Sequence, residues 1–247
     1  GQNHELVVWP EVALPATIDQ IENYLASIEA ELAVNSQSLV LGILERDFGT
    51  QAIYNSVLML NGRDRQTYRK RHLVPFGEYF PVPDFVRNWM RLMSLPNSDM
   101  TPGEPVQPLL ETASGQKLAV AICYEDAYGA EQLYALPEAG MLINVSNDAW
   151  FGDTIAPHQH LEIARMRALE VGRYMVRATN NGVSAFVDDK GRILGSGPQF
   201  EFVSMTQDIP PMTGLTPYAR LGNVPLVLGL FVMVAAFAAR SWRRRKG

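Results

Sequence analysis

An apolar run that ends at the chain's single cysteine constrains the fold more than any other feature. Residues 118–122 are all apolar, and Cys123 is followed directly by Tyr124, Glu125 and Asp126. Such a run predicts a buried β-strand, and open α/β sheets bind ligands at the carboxyl ends of their strands. The sequence therefore favours an α/β fold that presents a thiol at a strand end. The alternative is a small buried hydrophobe, the ordinary role of a free cysteine.

A second strand-like run, residues 6–9, leads into Glu11, which lies between Pro10 and Pro15. A carboxylate at the end of a buried strand is costly to desolvate unless it is paired or used in chemistry. Burial would raise the pKa of Glu11 toward neutrality and suit it to take a proton from a thiol. An ordinary solvated loop glutamate is the alternative.

A third segment carries three consecutive cations, Arg69, Lys70 and Arg71, and reaches Glu78 after an apolar turn. Side chains alternate faces along a strand, so the two arginines point one way and the lysine points the other. Lys70 is therefore predicted to face inward. A solvated, charged edge strand is the better interpretation of Arg69 and Arg71.

Glu11, Lys70 and Cys123, in this order and at strand ends, resemble the catalytic residues of the nitrilase (carbon–nitrogen hydrolase) superfamily. Longer motifs are similar to those of one family within it, the apolipoprotein N-acyltransferases of bacterial inner membranes. These motifs cover nearly the whole chain and are residues 8–15, 70–78, 123–126, 144–152, 158–161, 165–170 and 177–182.

The resemblance implies an α-β-β-α sandwich and covalent catalysis in two halves. Glu11 would deprotonate Cys123, which would take an acyl chain from a phospholipid, with phosphatidylethanolamine the expected donor, to form a thioester. Lys70 and the backbone N–H of Tyr124 would stabilise the oxyanion. The acyl group would then pass to the α-amino group of a diacylglyceryl-cysteine at a lipoprotein N-terminus. No cofactor is implied.

Three further residues are expected to support this site. Glu78 resembles a second glutamate of the family and would position Lys70 or Glu11, with a structural turn carboxylate as the alternative. Tyr124 and Glu125 match the motif and would shape the pocket. Lys70 is also expected to lower the pKa of the Cys123 thiol.

Apolar residues suggest where acyl chains enter. Residues 80–96 contain Trp89 and Met90 and form an apolar segment that could be a lid at the bilayer surface. An ordinary core helix is an equal alternative. Trp150 and Phe151 are expected to line an acyl pocket above the thiol, against an alternative of simple loop packing.

The C-terminus predicts membrane attachment. Residues 224–239 contain no charge, and five cations follow them. The run is short for a bilayer span but sufficient, and the cations match the positive-inside rule. We expect a catalytic domain at 1–215 in the periplasm, a transmembrane helix at 216–239 and a cytoplasmic tail at 240–247. The alternative is a buried core helix with a basic tail.

The net charge argues against nucleic-acid binding, and the spacing of the histidines argues against a metal site. Without the five terminal cations, the rest of the chain carries a net charge of about −10, which disfavours a nucleic-acid-binding face. His158 and His160 are two residues apart, whereas helical metal ligands are usually three or four apart. They are predicted to cap a helix or to join a polar network, and no metal is expected.

The periodicity of apolar residues gives a coarse element order. An Asn61–Gly62 turn predicts a hairpin, and residues 180–182 predict a second turn. The chain opens on the strand that carries Glu11, so the family's first strand and helix, and earlier membrane spans, are expected to be missing upstream. Helices are predicted at 16–34, 130–138 and 157–172, and strands at 38–44, 52–60, 66–71, 118–123, 141–145, 174–179, 183–188 and 192–195.

Three functions remain at this stage. The first is the lipoprotein acyltransferase in a bacterial inner membrane, multi-pass in its full-length form. The second is a membrane-tethered amidase or nitrilase that hydrolyses its thioester with water. The third is an inactive module that retains the fold. Membrane attachment argues for a lipid substrate, and the complete set of catalytic residue types argues against the inactive module.

Overall fold

The computed structural model describes residues 4–83, 85–86 and 99–246, and these form two β-sheets with helices on their outer faces. The helices are α1 (Glu22–Asn35), α2 (Ala156–Val171), α3 (Pro217–Leu221) and α4 (Val224–Lys246). The strands are β1 (Leu6–Val8), β2 (Leu14–Thr17), β3 (Ser38–Arg46), β4 (Ile53–Leu60), β5 (Arg65–Arg69), β6 (Leu110–Glu111), β7 (Lys117–Ile122), β8 (Met141–Asn147), β9 (Met175–Asn180), β10 (Ala185–Val187) and β11 (Ile193–Ser196).

The two sheets differ in how their strands pair. In the first sheet the order is β1-β3-β4-β5, with β2 also beside β3. Strands β1 and β2 run parallel to β3, while β3, β4 and β5 are antiparallel. In the second sheet the order is β11-β10-β9-β8-β7-β6, and its centre, β7-β8-β9, is parallel. The predicted hairpin at Asn61–Gly62 is confirmed, since it joins β4 to β5.

Side-chain alternation divides the core into three apolar layers. Val40 and Val57 face Val120 and Ile143 between the two sheets. The opposite face of the first sheet packs against α1, and that of the second packs against α2. The result is the expected α-β-β-α sandwich, because each sheet buries both of its faces.

Two predicted helices differ from the structure. α1 begins at Glu22, after a separate 3₁₀ turn at Ile18–Gln20 that the Gln20 side chain closes by accepting from the Thr17 N–H. The helix predicted at 130–138 is wrong, since Gly129–Ala135 forms 3₁₀ turns. Pro137 cannot donate to a helix and holds the residue before it extended.

The C-terminal region contains one long exposed helix. α4 extends through the basic residues to Lys246, and Gly222 (φ +56°) separates it from the short α3. The stretch Val224–Arg244 is long and apolar enough to cross a membrane, judged by length and composition, and none of its most apolar part is buried. A buried core helix is therefore excluded for these residues.

Candidate active site

The fold brings Glu11, Lys70 and Cys123 into one buried site between the two sheets. Glu11 lies in the turn between β1 and β2, Lys70 directly follows β5, and Cys123 directly follows β7. Their exposed fractions are 4%, 1% and 9%, respectively. Lys70 Nζ is 3.2 Å from Glu11 Oε1, and the charges of both groups act on the Cys123 thiol.

A close backbone approach fixes the Glu11 turn. A Cβ at Gly42 of β3 would lie 2.2 Å from the Pro10 carbonyl oxygen and 2.6 Å from Glu11 Cα, so only glycine leaves room for the turn. Val12, directly after Glu11, has φ +46°, a strained conformation for a β-branched residue. The Glu11 carboxylate is thus held on a backbone that the surrounding structure forces into place.

Every partner of the Glu11 carboxylate is a hydrogen-bond donor. Its Oε1 accepts from Asn55 Nδ2 at 2.6 Å and from Lys70 Nζ, and its Oε2 accepts from the Asn147 N–H at 2.6 Å. The Glu11 carbonyl accepts from Asn180 Nδ2 at 2.6 Å. The carboxylate is therefore held as an acceptor, which is the form that can take a proton.

Glu78 shares two hydrogen-bond donors with Glu11. Its Oε1 accepts from Lys70 Nζ and from Asn55 Nδ2, both at 2.8 Å, and its Oε2 accepts from the Val74 N–H at 2.8 Å. Glu78 therefore contacts Lys70 and also closes its own turn, and its supporting role in catalysis stays a prediction.

The environments of Lys70 and Cys123 set their charge states. Burial opposes the charge on Lys70, but Glu11, Cys123 and Glu78 outweigh it and raise the pKa of the lysine, which is therefore an ammonium. Burial, with a further contribution from Glu11, raises the pKa of Cys123 to about 12, while Lys70 and Ser146 oppose this. Lys70 lowers the pKa of Cys123 as expected, but burial and Glu11 outweigh that contribution, so the net pKa is raised.

Cys123 lies on an unusual backbone turn. Cys123 has φ +52° and begins a 3₁₀ segment, Cys123–Ala127, directly after β7. Its carbonyl oxygen accepts from His160 Nε2 at 3.3 Å and from Asn144 Nδ2 at 3.4 Å. A left-handed non-glycine residue stores strain, and such strain clusters at functional sites.

His160 belongs to a buried polar network close to the thiol, whereas His158 is exposed. Donor atoms of Cys123, Asp148 and His160 lie within 4.8 Å of one another, a spacing that could hold a metal ion. Both ring nitrogens of His160, however, face carboxylate or carbonyl oxygens, so both carry hydrogen and neither has a free lone pair for a metal. Hydrogen bonds to Asp126 and Asp148 overcome burial and raise the pKa of His160 to about 9.

Glu125 ties the cysteine turn to the lysine strand. It is fully buried and accepts from the Ile122 N–H at 2.7 Å, the Arg71 N–H at 2.6 Å and the Tyr68 hydroxyl at 3.0 Å. The side chain of Arg71 is only 5% exposed beside Glu125, so the solvated-edge interpretation is wrong for Arg71. A buried carboxylate between the two strand ends attracts it inward.

The remaining predicted residues lie at the rim or outside the described part of the chain. Tyr124 is 42% exposed and accepts a hydrogen bond from the Tyr128 hydroxyl. Trp150 and Phe151, in the 3₁₀ turn after β8, are 81% and 44% exposed. Trp89 and Met90 lie outside the described residues.

Sequence reasoning missed several residues that hold the site together. Asn55 of β4 bridges the two glutamates, and its position in an apolar strand gave no signal. Asn147 and Asn180 stand in recognised motifs, yet nothing in their spacing showed that Glu11 is their partner. Contacts across 136 and 169 residues of sequence become visible only when the two sheets pack.

Comparison with known proteins identifies relatives. A model of the carbon–nitrogen hydrolase family matches residues 1–218. An apolipoprotein N-acyltransferase of Methylococcus capsulatus is 44% identical over 223 residues, covering 90% of this chain and 44% of the relative. The apolipoprotein N-acyltransferase of Nitrosomonas europaea is 42% identical over 243 residues, covering 97% of this chain and 49% of the relative. The chain thus spans about half the length of the curated relatives it matches, and these matches confirm the resemblance in its motifs.

Solved structures share the fold. Nit3 of Saccharomyces cerevisiae, a nitrilase-superfamily member, superposes with a TM-score of 0.55 and 23% identity over 79% of this chain and 73% of its own. A carbon–nitrogen hydrolase of Helicobacter pylori superposes with a TM-score of 0.57 and 18% sequence identity, covering 78% of this chain and 73% of its own. Both confirm the α-β-β-α architecture.

Proposed function

This chain belongs to the carbon–nitrogen hydrolase family, and from that premise we propose that it forms an acyl thioester on Cys123 and transfers the acyl group to a lipoprotein amine. The observation that carries the proposal is the convergence of Glu11, Lys70 and Cys123 in one buried site. Attack on an ester carbonyl needs a nucleophile, a base to deprotonate it and a cation to stabilise the oxyanion. The thiol, the carboxylate and the ammonium group of this site can supply these three functions.

In the first half-reaction, Cys123 Sγ attacks the carbonyl carbon of a phospholipid ester while Glu11 takes the thiol proton. The raised pKa of Cys123 requires such a base, since little thiolate exists at neutral pH. The negative charge moves to the carbonyl oxygen, which the Lys70 ammonium and the Tyr124 N–H stabilise. Collapse breaks the ester C–O bond, the proton on Glu11 passes to the leaving oxygen, and a lysophospholipid departs.

In the second half-reaction, the α-amino group of a diacylglyceryl-cysteine attacks the thioester carbonyl. Glu11 again takes a proton, this time from the nitrogen, and the same oxyanion site is used. The C–S bond breaks, the thiolate leaves and recovers a proton from Glu11, and an amide is formed. Phosphatidylethanolamine is the proposed donor.

The exposed apolar helix favours transfer between lipids over hydrolysis of a soluble amide. α4 has no buried apolar stretch and ends in basic residues, which supports a bilayer position with a cytoplasmic tail at 240–247 and a periplasmic domain at 1–215. The relatives with 40–44% identity carry the name apolipoprotein N-acyltransferase. The amidase alternative rests on the match to the carbon–nitrogen hydrolase family model and on fold likeness.

The proposed acyl entrance remains a prediction. Trp150 projects into solvent beside the site, which suits an acyl-binding rim that lipid covers. Trp89 and Met90 are proposed to complete it as a lid. If tryptophan fluorescence from Trp89 does not respond to phospholipid vesicles, in a variant with the other tryptophans replaced by phenylalanine, the lid proposal is wrong.

A transfer assay separates the candidate functions. The protein is reconstituted in phosphatidylethanolamine vesicles with a diacylglyceryl-cysteine lipopeptide, and products are followed by mass spectrometry. The acyltransferase predicts an N-acylated lipopeptide and a lysophospholipid in equal amounts. Free fatty acid without lipopeptide acylation would favour hydrolysis, and no turnover would favour the inactive module.

A further inference from the structure

A charged cluster lies buried beside Cys123 but takes no part in the proton transfers described above. It contains Asp126, Asp148, His160 and Arg177, whose exposed fractions lie between 0% and 9%. These residues come from four elements: the 3₁₀ turns after β7 and β8, helix α2 and strand β9. Ionised groups at this depth are costly unless each one is paired, so their arrangement requires an explanation.

The imidazole ring of His160 is surrounded by acceptors. Its Nδ1 lies 2.9 Å from Asp148 Oδ1, and its Nε2 lies 3.2 Å from Asp126 Oδ1 and 3.3 Å from the Cys123 carbonyl oxygen. A neutral imidazole has one N–H and can satisfy only one of these sides. The full set of contacts therefore needs the imidazolium.

Charge balance leads to the same protonation state. Arg177 donates to Asp148 Oδ2 at 2.9 Å and lies 3.5 Å from Asp126 Oδ2, and it also contacts Asn144 Oδ1. Two carboxylates face one guanidinium, so the cluster is neutral only when His160 carries a charge. A neutral His160 would leave one net negative charge within 4.8 Å of the thiol sulfur.

The same ring supports the strained backbone of the nucleophile. Cys123 adopts φ +52°, and its carbonyl accepts from His160 and from Asn144. A neutral ring with its hydrogen on Nδ1 would turn a nitrogen lone pair toward that carbonyl, and one with its hydrogen on Nε2 would turn a lone pair toward Asp148. The position of the thiol and the charge beside it thus depend on one proton.

We propose that His160 is a positioning residue for the nucleophile, holding the Cys123 carbonyl as an imidazolium and cancelling the charge of the aspartates beside the thiol. The charged and titratable groups that face it are Asp126, Asp148, Arg177 and Cys123. The proposal rests on the proposed function only in taking Cys123 as the nucleophile.

Alkylation of Cys123 by iodoacetamide, followed by intact mass, tests this without any lipid. His160→Gln keeps a donor near Nε2 but removes the charge, and His158→Gln on the exposed side of the same helix is the matched control. Alkylation of His160→Gln at pH 8 is expected to be about tenfold slower than that of the parent, equivalent to one unit in the pKa of the thiol. The control is expected to match the parent.

The pH profile distinguishes positioning from a merely structural role. In the parent, the alkylation rate should rise about tenfold per pH unit and flatten near pH 9, where His160 loses its proton. His160→Gln should rise without this break. A parental rate in His160→Gln, or a parent profile with no break between pH 8 and 10, would overturn the proposal; if the variant does not fold, the parent profile decides. Since the assay needs no acyl donor, its result stands whether or not the chain transfers acyl groups.

Discussion

Replacing Glu11 by glutamine removes the proposed base and also creates a hydrogen-bond conflict that can be worked out from the structure. Both oxygens of Glu11 accept from donors: Asn55 and Lys70 at Oε1, and the Asn147 N–H at Oε2. A glutamine has one oxygen and one NH₂, so its NH₂ must face a donor. We expect a loss of about 1–3 kcal/mol of stability for the unmet buried contact. We expect thioester formation to fall about 10²–10⁴-fold because the general base is gone.

Glu78→Gln is the matched control. Its Oε1 also accepts from Lys70 and Asn55, and its Oε2 accepts from the Val74 N–H, so the donor conflict and the loss of charge are the same. Glu11 and Lys70, however, are the two groups whose charges act most strongly on the Cys123 thiol. Stability should therefore fall by a similar amount. The loss of rate should be at least about tenfold smaller, since the acid–base step remains intact.

The two variants are compared in detergent micelles with excess phosphatidylethanolamine. The single-turnover rate of acyl-adduct formation is read by quenching and intact mass, and stability is read by guanidinium unfolding. Equal losses of rate in both variants would refute the reasoning, because they would show that Glu11 acts only through its charge beside Lys70. A stable Glu11→Gln variant with the parental rate would remove Glu11 from the mechanism.

Three further predictions follow from the same site. Cys123→Ser should form no adduct detectable by mass spectrometry, because a hydroxyl with a carboxylate as its only base is a far weaker nucleophile; a serine ester of similar yield would contradict this. Gly42→Ala should destabilise the fold and slow adduct formation, since its Cβ would lie 2.2 Å from the Pro10 carbonyl oxygen and displace the Glu11 turn; parental unfolding and rate would show that the turn gives way freely. The pKa of the Cys123 thiol is raised to about 12 in the fold, above an unfolded value of about 8.5, so its contribution to stability is complete below about pH 8.5 and is lost as pH rises toward 12. The parent should therefore lose on the order of 2 kcal/mol more than Cys123→Ala between pH 8 and pH 10.5, and equal losses would contradict the raised pKa.

The layered fold was largely predictable from sequence. Apolar runs such as 118–122 are buried on both faces, and runs of this type fix the central strands in length and order. Motif resemblance supplied the architecture that periodicity alone could not. The short strands β2 and β6 were missed because four and two residues carry no periodic signal. The helix expected at 130–138 is replaced by 3₁₀ turns at Gly129–Ala135, and Pro137 accounts only for their end, since it holds Leu136 extended.

The sequence predicted which residues form the site, but not which side chains and backbone groups they contact. The alternation argument correctly turned Lys70 inward, and it failed for Arg71 because the buried Glu125 accepts from that residue's backbone N–H and attracts its side chain. The net rise in the pKa of Cys123 could not be foreseen, since it depends on burial that only packing reveals. The contacts of Asn55 with Glu11 and Glu78 could not be predicted either, because they join residues 44 and 23 positions apart in the sequence.

The intact mass of the protein after incubation with phosphatidylethanolamine, in the absence of any amine acceptor, tests the central claim most directly. The account predicts an increase of one acyl chain per polypeptide, located on Cys123 by peptide mapping, released by neutral hydroxylamine and lost when a diacylglyceryl-cysteine lipopeptide is added. An unmodified mass under these conditions, or an acyl group on any other residue, would contradict it.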